Sequence, residues 1–363
     1  MVKISPRLLP TFFALACLLG RPAAAPRACS TFALRHGARV VYGNNYDWSN
    51  GNGLVLVNKR GVSKSALPAP GEPDAPRWVS KYGSVTFNQY GRELPASGMN
   101  EAGLVVMLMW LDETTYPAAD GRGAVNPLEW IQYQLDNFGG VGEVLRAAPS
   151  LRVSSSIAKV HYLVGDREGA AAAVEFLGGR LVVHAGPRLP VAALTNDTYA
   201  RSLLSLKKYA GFGGALPLPS GTGSLERFAR AAAFAKDYRP AGDAGMVEDA
   251  FGLLAGIAQG DYTKWGIVYD PRAPGVYFRT LKSPEVKRLD ARSLDFRCAT
   301  PAKLLDVNQP AGGDVLGRLG DYDPARNESL VRASFGAAAM LKGVPESYLS
   351  LVARHPQAQA CRE

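Results

Sequence analysis

Cys29 is the residue of this chain best placed for nucleophilic chemistry. A cysteine attacks as its thiolate, and a free thiol titrates near about 8.5, so it needs a base. If everything before Cys29 is removed, its own α-amino group is that base. An α-amine titrates at about 7.7–8.0, so much of it is neutral and able to take a proton slightly above neutral pH. One terminal residue then supplies both nucleophile and base, and no histidine is required. The four histidines, His36, His161, His184 and His355, stand in no catalytic pattern and read as structural or exposed.

The residues ahead of Cys29 have the layout of a secretory signal peptide. Lys3 and Arg7 make a basic start, Leu8 to Gly20 (LLPTFFALACLLG) is an apolar run, and small residues follow at Ala23, Ala24, Ala25 and Ala28. The run is too short to span a bilayer, which takes about 20 residues. Ala28 suits a cut directly before Cys29. A cut after Ala24 would instead leave a short propeptide, Ala25 to Ala28, which Cys29 would remove by attacking the peptide bond ahead of it. The expectation is an exported protein, periplasmic or secreted, with no membrane span. Cys298 and Cys361 then remain beside Cys29. An oxidising compartment permits those two to pair and leaves Cys29 as the odd thiol. Sequence carries no distance, so that pairing stays open.

The formal charge of +9 includes four cations, Lys3, Arg7, Arg21 and Arg27, that precede Cys29. The remaining excess is diffuse, with no basic run and no aromatic–basic interleaving, which argues against a nucleic-acid partner. No cofactor or metal is implied.

The elements that must position Cys29 are legible in outline. Strands are predicted at 30–36 and 39–46, joined by a turn at Gly37, and at 53–58, 84–88 and 103–110. Others follow at 159–164, 172–177, 180–185, 190–195, 265–269 and 275–281. The stretch 103–110 is apolar throughout, as a strand covered on both faces would be. Residues 65–77 read as a surface loop. Asn126-Pro127-Leu128-Glu129 is a helix start, with Asn as cap, Pro at the first position and Glu at the third. Further helices are predicted at 198–209, at 224–237 with Ser224 as cap, and at 246–258. From about residue 300 the composition turns helical, notably at 326–341 and 345–354. Strands alternating with paired helices imply a layered α/β body.

Several short motifs occur in one order. Cys29-Ser30-Thr31-Phe32 is followed by Gly43-Asn44-Asn45-Tyr46-Asp47-Trp48, then by Gly98-Met99-Asn100-Glu101-Ala102-Gly103-Leu104. Leu194-Thr195-Asn196, Arg227-Phe228-Ala229-Arg230, Thr263-Lys264-Trp265, Tyr277-Phe278-Arg279-Thr280 and Leu294-Asp295-Phe296 complete the series. Over about residues 29–297 the chain thereby resembles the choloylglycine hydrolase family of linear amide C–N hydrolases, which contains bile salt hydrolases and penicillin V acylases.

That resemblance implies an α+β fold, the four-layer αββα sandwich of the N-terminal-nucleophile (Ntn) hydrolases, over 29–299. Residues 300–363 are expected to form a helical C-terminal extension packed on it. It implies Cys29 as nucleophile and base together, Asp47 holding the α-amine, Asn196 donating to the oxyanion and Arg227 stabilising the site electrostatically. The family usually carries an arginine where this chain has Asn44, a cation that helps keep the thiol ionised, so Asn44 is a candidate for altered substrate binding. The position of a second oxyanion residue falls at Trp110, where the backbone N–H is what the family uses. The Trp110 indole either lines an acyl pocket or packs in the core.

The reaction implied is hydrolysis of a small-molecule N-acyl amide through an acyl-enzyme. Candidate substrates are penicillin V, conjugated bile acids, N-acyl homoserine lactones and N-acyl amino acids. Relatives suggest a homo-oligomer. The competing readings are an acyltransferase with the same nucleophile, a catalytically inactive exported binding protein on the same scaffold, and a papain-like protease that would need a histidine partner.

Overall fold

The computed structural model describes residues 29–68, 75–155 and 157–362; the expected signal peptide, residues 1–28, lies outside them. The chain enters as a hairpin. Strand Ser30–His36 turns at Gly37, whose φ of 56° suits glycine, and returns as Arg39–Asp47. The register pairs Ser30 with Asn45, which puts Cys29 opposite the Tyr46–Asp47 end of the returning strand. These two strands lie inside a seven-stranded sheet. Its order is Ala193–Leu194, Ser30–His36, Arg39–Asp47, Thr263–Asp270, Gly275–Thr280, Lys287–Asp290 and Gly313–Asp314.

A second sheet of nine strands packs against the first. It runs Arg180–Ala185, Ala171–Leu177, Val160–Gly165, Val105–Trp110, Pro95–Asn100, Ser84–Asn88, Leu54–Asn58, Lys303–Asp306 and Gly320–Asp321. Strand Val105–Trp110 shows why sequence alternation was absent there. Its period of two sends Val105, Met107 and Met109 into the core between the sheets, while Val106 points to the opposite face and meets Trp130, Ile131 and Leu135. Both faces are covered over Val105–Met107, and Leu108 and Trp110 are partly buried beyond, so both sets are apolar.

Helices cover the outer faces. α1 (Pro127–Asn137) and α2 (Val141–Ala147) lie on the second sheet. α3 (Tyr199–Leu206), α4 (Ser224–Lys236) and α5 (Met246–Gly256) lie on the first. The result is four layers, αββα, as the resemblance implied. α1 starts as predicted: Asn126 Oδ1 accepts from the Leu128 and Glu129 amides, and Glu129 Oε2 accepts from the Asn126 amide.

Residues past 300 depart from the expectation of a purely helical extension. α6 (Pro324–Ala337) and α7 (Glu346–Arg354) are present, but Lys303–Asp306 is a strand zipped to Leu54–Asn58 inside the second sheet. Leu304 and Leu305 are buried there, so the segment completes a sheet rather than covering one. Ala360–Cys361 pairs with Val62–Ser65, and Cys361 is bonded to Cys298. Strands Val62–Ser65, Arg77–Val79 and Pro95–Asn100 and helix α2 had no sequence prediction, and the strand expected over 190–195 is only Ala193–Leu194. Among the described residues no helix is long and apolar enough to cross a membrane.

Candidate active site

Cys29 is the free cysteine of the described residues, 3% exposed, at the edge of the hairpin. Its thiol donates weakly to the Asp47 carbonyl at 4.0 Å. Burial, then the negative charge of Asp47, push the thiol up to about 12, against the pull of backbone hydrogen bonds and of Arg227. In the uncut chain the Cys29 nitrogen is a peptide amide with no basic lone pair, so this thiol is protonated and inert.

Arg227, in the first turn of α4, is fully buried beside Cys29. Its guanidinium makes a fork of four bonds. Nη1 donates to the Cys29 carbonyl at 3.1 Å and to the Ser30 hydroxyl, Nη2 to Asn196 Oδ1 at 2.7 Å, and Nε to the Thr222 carbonyl at 2.9 Å. Burial lowers its pKa, while Asp47 and Cys29 pull the other way. A buried arginine stays charged because its intrinsic pKa is high and each of its three nitrogens has a hydrogen-bond partner here.

Arg227 also decides how Asn196 points. Guanidinium nitrogens only donate, so the Asn196 oxygen must face Arg227 and its NH₂ must face away. That NH₂ donates to the Trp110 carbonyl at 2.8 Å. The Asn196 backbone amide donates to the Ser224 hydroxyl at 2.9 Å. Ser224 therefore does not cap α4 as predicted; its hydroxyl anchors the Asn196 turn, and the cap position belongs to Gly223, whose amide bonds Glu226. Nor is Asn196 a helix cap, since Thr198 caps α3.

Asp47 ends its strand with the carboxylate fully buried. Gln259 donates to Oδ2 at 2.6 Å and Thr263 donates to Oδ1. Burial raises its pKa, although Thr263, Arg227 and Gln259 oppose the shift. The carboxylate is thus fixed in orientation and acts on Cys29 through its charge.

Asn44, the candidate for altered substrate binding, is not among the residues that line the cavity described next. Asn44 is 2% exposed within the hairpin, and its amide donates to the Ser30 carbonyl at 3.4 Å. Its side chain is spent on the nucleophile's strand and does not reach the cavity described next. Arg227 is a cation whose charge pulls the thiol pKa down, against the larger effect of burial.

A cavity of about 510 Å³ opens in front of Cys29. Trp110 lines it, which settles the indole as pocket wall, and its Nε1 donates to Asp112 at 2.6 Å. Tyr46, Trp48, Tyr90 and Leu128 also line it. Tyr46 stacks on Trp265 and donates to Gln89 at 2.7 Å, and Trp48 donates to the Tyr90 hydroxyl at 2.8 Å. Tyr46 and Trp48 flank Asp47 in the sequence, and strand alternation was the signal that they face away from it. Asp47, Asn196 and Arg227 do not line the cavity; they sit behind Cys29 and Trp110, the two predicted site residues that do.

No histidine takes part. His161 is buried, with Nε2 donating to the Thr195 carbonyl at 2.7 Å and Nδ1 3.1 Å from Glu175. Glu175 also meets His184 and the Tyr199 amide. Burial would raise the Glu175 pKa, but His161, the Tyr199 amide and His184 outweigh it and leave it lowered. This cluster braces the turn that carries Asn196. Nothing in the sequence singled out His161, Glu175 or Gln259, because their partners lie away along the chain, and Ser30 entered only as a member of the Cys29 motif. His36 bonds Asp243 at the surface, and His355 bonds the Ser65 carbonyl. A papain-like pairing is therefore not present.

The two facing sheets between helix layers, with a lone cysteine opening the inner hairpin, define the Ntn-hydrolase class of fold. The penicillin V acylase of Agrobacterium tumefaciens superposes with a TM-score of 0.73 at 27% identity, covering 82% of this chain and 98% of that one. The R18L variant of the conjugated bile acid hydrolase of Clostridium perfringens superposes with a TM-score of 0.65 at 18% identity, covering 78% and 98%. In sequence, the penicillin V acylase of Pectobacterium atrosepticum is 28% identical over 276 residues, 64% of this chain and 73% of that protein. The family model for linear amide C-N hydrolases, choloylglycine hydrolase family, matches residues 29–302. The chain belongs to that family and is a hydrolase of carbon–nitrogen bonds in linear amides.

Proposed function

We propose that the protein is exported, loses the residues before Cys29, and hydrolyses N-acyl amides through a Cys29 acyl-enzyme. The observation that carries this reading is that Cys29 lines the cavity while Arg227 grips both its carbonyl and the Asn196 side chain. Exposure of the α-amine places a base and, once protonated, a cation beside a thiol that burial otherwise keeps neutral.

The steps follow from these groups. The Cys29 thiol passes its proton to the α-amine, and sulfur adds to the substrate carbonyl. Negative charge develops on that oxygen. Asn196 has two N–H bonds and spends one on Trp110, so the other serves the oxyanion. The α-ammonium returns the proton to the leaving nitrogen, the C–N bond breaks, and a thioester remains. Water, deprotonated by the same amine, attacks the thioester and releases the acid and the thiol. Asp47, held by Gln259 and Thr263, stabilises the α-ammonium by its charge.

The test is hydrolysis of a panel of acyl amides by the exported protein and by its Cys29→Ser variant, with products measured with and without an added amine. Free acid in both cases and loss of turnover in the variant support the reading. Transfer of the acyl group to the added amine as the main product would make the protein an acyltransferase.

A further inference from the structure

Part of the cavity wall comes from chain that the family match does not include. That match ends at residue 302, yet Phe335, Met340, Leu341, Val344, Pro345 and Tyr348 line the cavity. They lie at the end of α6, in the connection that follows it, and at the start of α7. Cys29 is 3% exposed and Met340 is 43% exposed, so the cavity runs from the nucleophile toward solvent with Met340 at its outer end.

This wall is held in place. Val331 and Phe335 of α6 pack with Leu67 and Leu94, and the Phe335 ring meets Tyr90 edge-on at 5.4 Å. Asn327 accepts from the Arg92 amide at 2.8 Å and donates to the Ala353 carbonyl at 3.0 Å, tying α6 to the loop before Leu94 and to α7. The Cys298–Cys361 bond fastens the end of the chain back to the family-matched body.

Among the described residues the lining carries no lysine, arginine, histidine, aspartate or glutamate. Several of its polar atoms are already engaged. Asn126 caps α1, the Ser155 hydroxyl accepts from the Ile157 and Ala158 amides, and the Tyr46 hydroxyl bonds Gln89. An occupant gains there by burying apolar surface and gains little from polar groups. At roughly 30 Å³ per water-sized group, about 510 Å³ has room for roughly 17 such groups, far more than a short acyl group fills.

We propose that residues 335–348 form the outer wall of an acyl subsite, and that this wall makes the enzyme select amides whose acyl group is an extended aliphatic chain over amides with a short one. The proposal rests on the Cys29 reaction proposed above. Met340 and Val344 are its specificity-determining residues, and the leaving amine lies outside the subsite.

The experiment measures kcat/KM for a series of p-nitroanilides from acetyl to dodecanoyl, on the mature protein and on its Met340→Trp and Val344→Trp variants. Met340 is exposed, so that variant folds even if Val344→Trp does not. In the unaltered enzyme kcat/KM rises by about fourfold per added methylene until the cavity is full. Each variant lowers the ratio of dodecanoyl to acetyl kcat/KM by about tenfold or more, since a bulky ring occupies the volume of several methylenes. A flat series, or ratios unchanged in Met340→Trp, overturns the proposal. Binding of dansyl-labelled undecanoic acid to the Cys29→Ala protein separates subsite from reaction. Binding weakened by Met340→Trp supports the subsite even if no amide is turned over, in which case the reaction is what fails; no binding, together with a flat series, sinks the subsite alone.

Discussion

Arg227 Nη2 donates to Asn196 Oδ1 at 2.7 Å, and the same guanidinium holds the Cys29 carbonyl at 3.1 Å. One buried cation thus sets both the nucleophile's backbone and the direction of the Asn196 amide, the proposed oxyanion donor. Asn196→Ala removes the donor and is expected to lower kcat by about 10²–10³ with little change in KM. Arg227→Lys keeps a charge but loses the fork, so Asn196 is no longer oriented and a loss of similar size is expected. The double variant falls well short of the product of the two losses, because both act on one donor. Steady-state kinetics on a single acyl amide checks this; full multiplicativity would show that the two residues act independently.

The Cys298–Cys361 bond spans 63 residues of sequence. Loop entropy sets its stabilisation at about 4 kcal/mol at most. Replacing both cysteines by serine is expected to lower the denaturant midpoint accordingly, and to weaken the preference for long acyl chains as α6 and α7 loosen. Equilibrium unfolding of the two proteins in urea measures the first effect. An unchanged midpoint would mean that the sheet contacts of Lys303–Asp306 alone hold this segment.

Burial pushes the Glu129 carboxyl up to about 8, with the Leu67 and Asn126 amides opposing and Glu93 adding to the rise. The folded pKa is raised above the unfolded value, so the folded state binds the extra proton. The stability this contributes is complete below the unfolded pKa of about 4.3 and is lost as pH rises toward about 8. Glu129→Gln keeps the shape and cannot ionise. Its Tm is therefore expected to improve relative to the unaltered protein between about pH 5 and pH 8.5. Thermal melts at both pH values test this, and a difference independent of pH would contradict it.

What the sequence made legible follows the range of the interactions involved. The hairpin at Cys29, the Asn126 capping box and the doubly buried strand Val105–Trp110 rest on neighbours within a few residues, and all are present. Strand Pro95–Asn100 escaped because Pro95, Ser97 and Gly98 lack strand propensity; Ser97 is there to bond Tyr269, and a Cβ on Gly98 would meet Thr86 at 2.7 Å. Cys29, Asp47, Asn196 and Arg227 were singled out by their motifs. That Asn44 turns into its own hairpin, that Ser224 anchors Asn196, and that α7 reaches the cavity all depend on contacts between distant segments. A linear pattern carries no record of those.

The central claim is that Cys29 becomes the first residue and that its own amine activates its thiol. Intact-mass measurement of the exported, active protein, before and after brief exposure to an excess of substrate, tests it most directly. The account predicts a mass that begins at Cys29, and a second species heavier by one acyl group that is lost in the Cys29→Ala protein. Full activity in a protein that still carries Ala28 or earlier residues would contradict it.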